Sequence, residues 1–253
     1  MFEKENFYDN DSLLKEAQGL KLLENCIEKT LECKLKIPKL YYVDKDILKL
    51  EKIPSSYASS KQMQEFGKSL ANLHKVKYPL YGLDYDNYIG LSTQKNILSS
   101  TWGDFFFRFR LLYQVEMIKD EEIKKEFLEQ LLKFENTIIS FLDENCEYAS
   151  ILHGDLWAGN VLFSKKDIYL IDPAVYYGDK EVDLAMTQMF GGFSELFYSE
   201  YFKTVKVSKE YEKKKIIYNL YHYLNHYNIF GSSYLNSCKR YIKAFEKLFV
   251  TKV

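Results

Sequence analysis

ILHGDLWAGNVLFSKKDIYLIDPAVYYGD, residues 151–179, decides how the rest of the chain is read. On either side the apolar residues recur at helical spacing, and here that period is lost. The stretch opens as a polar loop, Leu152 to Asn160. Two apolar runs follow, VLF and IYLI, separated by the charged turn Ser164-Lys165-Lys166-Asp167, and they read as a short β-hairpin. The loop carries His153, Gly154, Asp155 and Asn160, and Asp172 is expected on the second strand of the hairpin.

Helical patterns surround this break. Lys61 to Lys75 places Met63, Phe66, Leu70 and Leu73 at steps of three and four, and Trp102 to Lys119 reads as a second helix. From Glu121 to Leu142 the repeat Ile123, Phe127, Leu131, Phe134, Ile138, Leu142 predicts one long helix. Lys209–Phe230 and Tyr234–Val250 close the chain as two more.

The first fifty residues differ. Asp11-Ser12 is an N-cap signal for a helix with Leu13, Leu14, Ala17, Leu20, Leu23 and Ile27 on one stripe. Pro38 bars a helix beyond it, and LYYV and ILKL flank the turn Asp44-Lys45-Asp46 as a hairpin. Pro54-Ser55-Ser56 interrupts both periodicities and marks the expected boundary. The fold class is therefore α+β. A small N-terminal lobe, 1–53, combines a short antiparallel sheet with one helix, and a larger, mostly helical lobe spans 54–253.

Composition narrows the function. Apolar residues make up 47% of the 253, enough core for one large domain or two lobes. Lys+Arg number 35 against 36 Asp+Glu, so the basic surplus of a nucleic-acid binder is missing and no such partner is expected. MFEKENFYDNDS carries charge from its third residue and no signal-like apolar core. No apolar run approaches the ~20 residues that span a bilayer, so no membrane partner is expected. Cys26, Cys33, Cys146 and Cys238 form no CxxC pair, which suits reduced thiols and a cytoplasmic location.

Asp155, Asn160 and Asp172 have the residue types and the order that phosphoryl transfer requires. A carboxylate receives the proton of the attacking hydroxyl, and hard oxygen donors hold Mg²⁺ against a triphosphate. The protein-kinase pattern sets an Asp and an Asn five residues apart, ahead of a metal-binding Asp, and Asp155, Asn160 and Asp172 follow that order. Singly these are ordinary loop residues; as an ordered set around a hairpin they form a constellation.

Three segments then carry a resemblance. ILHGDLWAGNVLF (151–163), IDPAVYYGDKEVDLAMTQMFGGF (171–193) and YHYLNHYNIFG (221–231) look like the fructosamine kinase (ketosamine-3-kinase) family, within the aminoglycoside-phosphotransferase and choline-kinase-like superfamily. YDNYIGLSTQKN (85–96) also resembles the family's DNYIG-x-x-PQ-x-N stretch, with Thr93 where Pro is usual. The resemblance implies a protein-kinase-like two-lobe fold, ATP and Mg²⁺ as cofactors, and a free or protein-bound ketosamine as the phosphoryl acceptor. It implies Asp155 as the catalytic carboxylate and Asn160 and Asp172 as metal ligands. Lys4 of FEKEN would contact the α- and β-phosphates, with Glu16 as its helix partner. His153 would orient the loop rather than act as a base; Asp183 would either accept hydrogen bonds from the loop backbone or stand as a plain carboxylate at a helix N-terminus, and Trp157 would either pack or wall the acceptor site. Asn225 and His226 would face the acceptor pocket, and Glu51 and Ile53 fall where an interlobe hinge would hold adenine.

One departure keeps alternatives open. The family's first two strands and glycine-rich loop, which should precede Lys4, have no counterpart here, so the N-lobe reads as truncated. A kinase of another small hydroxyl acceptor, aminoglycoside- or choline-like, or a pseudokinase-like binding protein remains compatible with that departure. The sequence does not specify an oligomeric state.

Overall fold

The computed structural model describes residues 1–249 of the 253. The chain opens with strand β1 (Phe2–Glu5) and helix α1 (Ser12–Lys29), then returns through β2 (Leu35–Lys36), β3 (Leu40–Val43) and β4 (Ile47–Leu50). β1, β4 and β3 form an antiparallel sheet in that order, with Lys4 opposite Leu48. Leu13, Ala17 and Leu20 of α1 pack on Leu48 and Leu50 as a small core of their own. Leu23 and Ile27, lower on the same stripe, join the main core instead. Leu14 is only half-buried, and Gly19 and Cys26 complete the buried face. Asp11 does not cap α1 with its side chain: its carboxylate accepts from Tyr88 Oη, and Asn10 Oδ1 accepts from the Ser12 N–H.

The larger part begins with α2 (Ser60–His74), which starts on a Ser59–Gln62 capping box that the periodicity alone does not reveal. Four very short strands follow, β5 (Tyr81–Gly82), β6 (Asn87–Ile89), β7 (Ser92–Gln94) and β8 (Leu98–Ser99). The helix expected over 102–119 is interrupted. α3 (Trp102–Phe106) runs into a π-helical turn, Phe107–Leu112, before α4 (Tyr113–Glu116). The long helix expected over 121–142 is two, α5 (Glu121–Lys133) and α6 (Glu135–Glu144). Phe134 breaks it at φ −109°, ψ 8°, yet Phe127, Leu131, Phe134, Ile138 and Leu142 all stay buried, so the apolar spacing hides the break.

β9 (Ser150–Leu152), a 3₁₀ turn at Ala158–Asn160, β10 (Val161–Ser164), β11 (Asp167–Leu170) and β12 (Tyr176–Gly178) make up the central non-helical stretch. β10 and β11 form the expected hairpin, with Val161 opposite Leu170, and β2 adds to it in parallel. Asp172 is not on the second strand: β11 ends two residues earlier, and Asp172 takes a left-handed backbone conformation at φ +50°. The chain continues as α7 (Glu181–Thr187), α8 (Glu195–Thr204), α9 (Tyr211–Phe230) and α10 (Leu235–Phe249). Val250, expected to end the last helix, lies outside the described residues. Among the described residues no helix is long and apolar enough to cross a membrane.

Burial of charge ties α9 to α7. Lys214 Nζ lies 2.5 Å from Asp179 and 2.8 Å from Glu181, with all three side chains no more than 2% exposed. It also donates to Asn145 O at 2.7 Å, so its ammonium is fully engaged. Removing one member of such a buried group leaves unpaired charge and costs about 3–5 kcal/mol. Lys214→Met, which strands two adjacent carboxylates, is expected to lower the unfolding free energy in urea by ~3–5 kcal/mol. A loss within ~1 kcal/mol would show that the group is dispensable.

Candidate active site

β9 and β12 pair antiparallel, with Leu152 opposite Tyr176, and this lays the loop after β9 against the segment before β12. The Ala174 N–H donates to His153 O at 2.8 Å and the Ile171 N–H to Asn160 O at 3.1 Å. The approach leaves no room for a side chain at Gly154, where φ is +82° and a Cβ would overlap the Ala174 carbonyl oxygen. Asp183, buried in α7, accepts from the His153 N–H at 2.7 Å and the Gly154 N–H at 2.9 Å. Burial pushes the Asp183 carboxyl up, but the His74 imidazole 3.4 Å away and the loop N–H groups outweigh it and hold the pKa low.

His153 Nε2 lies 2.9 Å from Ile171 O, and Nδ1 lies 3.3 Å from the Asp155 N–H. A carbonyl only accepts and an N–H only donates, so Nε2 carries the proton and Nδ1 is the acceptor. Burial lowers the imidazole pKa, which keeps the ring in that neutral form. His153 thus ties the loop to the end of the hairpin.

Asn160 Nδ2 donates to the Asp155 carbonyl at 2.9 Å and to Asp155 Oδ2 at 3.1 Å. The amide nitrogen is thereby committed, and Oδ1 is left as the group available to a ligand. Burial pushes the Asp155 carboxyl up to about 7, against the Asn160 hydrogen bond. Lys4 Nζ on β1 reaches Glu16 Oε2 on α1 at 2.7 Å and Asp172 Oδ1 at 2.8 Å. Burial raises the Asp172 carboxyl pKa, but the Lys4 ammonium more than cancels that and holds it below the usual range. Burial also pushes Glu16 up, against the pull of Lys4, and its Oε1 is buried without a partner.

Lys4, Glu16, Asp155, Trp157, Asn160 and Asp172 line one cavity of about 300 Å³. Asn87, Tyr88, Gly90 and Leu91 of the β6–β7 hairpin and the segment Asn6–Tyr8 contribute to its wall. The sequence assigns no role to either; the turn-forming Gly90 in DNYIG is the available signal. Glu51 and Ile53 are not among the lining residues. The Glu51 N–H already donates to Lys39 O at 2.8 Å, and its carboxylate accepts from the Lys39 N–H, so Glu51 closes the β3–β4 hairpin. Asn225 and His226 also stand outside the lining. Asn225 is buried beside Gln114, whereas His226 packs on Phe190 at 5.2 Å, which meets Trp157 edge-on at 6.1 Å.

Among the described residues no group of three or more His, Cys, Asp or Glu side chains is arranged to hold a metal by itself. Asn160 Oδ1 and the Asp172 carboxylate supply two hard oxygens to one cavity. That donor set fits Mg²⁺, which takes one or two protein oxygens and completes its shell with phosphate oxygens and water.

The chain matches the family profile described as fructosamine kinase over residues 5–247. It is 38% identical over 180 residues to the "Probable ketoamine kinase" of Vibrio cholerae, covering 71% of this chain and 62% of that protein. It is 40% identical over 184 residues to the chloroplastic protein-ribulosamine 3-kinase of Arabidopsis thaliana, covering 68% and 54%. The chain thus spans less than two thirds of the length of these curated relatives. Its fold superposes on the crystal structure of the "Putative fructosamine-3-kinase" of Haemophilus somnus with a TM-score of 0.82 at 26% identity, covering 95% of this chain and 81% of that one. The small sheet-and-helix lobe on a larger helical lobe is the protein-kinase-like two-lobe fold.

Lys4→Met should remove the charge that holds Asp172 down, so the Asp172 carboxyl is expected to titrate at higher pH. Carboxyl ¹³C NMR reads this directly, and an unmoved midpoint would show that Lys4 does not govern the charge of Asp172.

Proposed function

The chain belongs to the fructosamine kinase family, and on that footing we propose that it transfers the γ-phosphoryl group of ATP to a hydroxyl of a ketosamine. The carrying observation is the convergence on one cavity of the Asp155–Asn160 pair and the Lys4–Glu16–Asp172 bridge. Ketosamine as the acceptor class is supported by the named activities of the relatives and by the Trp157–Phe190–His226 aromatic run beside the loop.

Each residue has a task in this reading. Asp155 accepts the hydroxyl proton and aims the oxygen in line. Its raised pKa makes it a better base than an exposed aspartate, and the Asn160 amide keeps it oriented. Lys4, kept charged by its two carboxylates, neutralises phosphate oxygens. Asn160 Oδ1 and Asp172 would hold Mg²⁺, which supplies charge neutralisation to the phosphates. Because the transition state of such a transfer is loose, positioning contributes more than proton removal. Trp157, 38% exposed, offers a ring face to the sugar-amine.

Two measurements test this. Phosphate transfer from Mg·ATP to synthetic ketosamines should be detected, and Asp155→Asn should cut kcat by about 10²–10⁴-fold while nucleotide affinity stays near wild type. Substantial residual turnover would remove Asp155 from its role; transfer to aminoglycosides or choline but no ketosamine would replace the acceptor. The pH profile supplies a second check. With its carboxyl pKa at about 7 in the free protein, Asp155 is protonated below that value, so kcat/KM should fall as pH drops through about 7. A flat profile down to pH 5 would contradict the base assignment.

A further inference from the structure

Arg110 is fully buried in the π-helical turn, and no carboxylate lies within ion-pair reach of it among the described residues. Its guanidinium stacks on the Tyr176 ring at 4.0 Å and donates to Lys95 O and to Asn96 Oδ1, both at 2.7 Å. A guanidinium cannot accept, so the Asn96 amide must present its oxygen to Arg110 and its nitrogen elsewhere. Asn96 Nδ2 donates to Asn87 Oδ1 at 2.9 Å, and Asn87 Nδ2 in turn donates to Val175 O at 2.9 Å. A second branch has the same sense and joins the first: Tyr221 Oη donates to Gln94 Oε1 at 2.6 Å, and Gln94 Nε2 donates to Ala174 O at 3.1 Å and to Asn87 Oδ1 at 2.8 Å. Both branches therefore end on carbonyls two and three residues beyond Asp172. From the other side of the same hairpin, Tyr88 Oη donates to Asp11 Oδ1 at 2.9 Å, beside the start of the helix that bears Glu16.

We propose that Asn87 and Gln94, their amides oriented by Arg110–Asn96 and Tyr221, are positioning residues that clamp the 172–176 segment to α1 and so fix Asp172 relative to Glu16. The link to cation binding rests on the kinase reading above; the clamp itself does not. Outer partners of metal ligands generally matter at the level of about 10–100-fold in metal affinity. Such a strut fits Asp172, a non-glycine residue held at φ +50°, a conformation that persists only where its surroundings enforce it.

Two near-isosteric variants of the full chain test the clamp. Asn87→Asp cannot donate to Val175 O. Asn96→Asp keeps, and strengthens, the acceptor for Arg110 but sets a carboxylate oxygen against Asn87 Oδ1, which drives the Asn87 amide to turn its nitrogen from Val175 O, so it guards against simple misfolding of the first. By hydrogen–deuterium exchange, amides in 172–176 are expected to exchange at least ~10-fold faster in both variants, with α2 and α9 unchanged. In Asn96→Asp, whose side chain does not line the cavity, the Mg²⁺ concentration that half-saturates the ATP-dependent thermal shift should rise about 10–100-fold. Wild-type exchange in 172–176, or uniform acceleration across the protein, would overturn the clamp. Faster local exchange with an unaltered Mg²⁺ requirement would overturn its link to the cation. If the wild-type chain shows no thermal shift with Mg·ATP, the kinase reading falls, and the exchange result still decides the clamp.

Discussion

Two backbone segments cross with nothing between them, and the site depends on that crossing. Where 153–155 meets 172–175, the His153 carbonyl takes the Ala174 N–H and glycine alone fits at 154. Asp183 fills the two N–H groups that the bend at 153–154 would otherwise leave buried and unpaired. An unsatisfied pair of that kind would cost several kcal/mol, on the order of 1–3 for each group. The polar side chains of the cavity are thus carried on a scaffold fixed by these bonds, and their positions follow from it.

Electrostatics then sorts the carboxylates by neighbour rather than by type. Asp172 lies beside an ammonium and is held low, whereas Asp155 is paired only with a neutral amide and is pushed up to about 7. The two neighbourhoods thus produce one acid that stays charged, suited to a cation, and one poised to take up a proton near neutrality. The difference is made by Lys4, which reaches across from the N-terminal sheet.

Legibility followed physical range. The lobe division into mixed and helical parts and the hairpin at 161–170 could be read because each is written in local periodicity. The break at Phe134 could not, because the core-facing spacing continues through it, nor could the strands of two or three residues between 81 and 99, which are too short to show alternation. In the site, Asp155, Asn160 and Asp172 stood out by order and spacing. Lys4 and Glu16 carried no local signal, since a lysine in a first strand and a glutamate on a helix are ordinary surface residues; their 2.7 Å contact exists only once β1 lies beside α1. Asp183 lies in the first turn of α7, where an acceptor for loop N–H groups and a plain helix-terminus carboxylate look the same in sequence. The amides of 87–96 stood in a stretch legible only as a resemblance, and Arg110 outside it, because their meaning lies in the direction of hydrogen bonds between distant segments.

The parallel pairing of β2 with β11 has a mechanical consequence. Leu35 and Lys36 come from the N-terminal region in sequence but hydrogen-bond into the hairpin of the larger lobe, and Ser56 bridges to Phe163 on the opposite edge of that hairpin. The stretch of chain that carries the β3–β4 hairpin is therefore moored at both of its ends to one β-ribbon. β1 pairs with β4, so the position of Lys4 is inherited from the same two moorings.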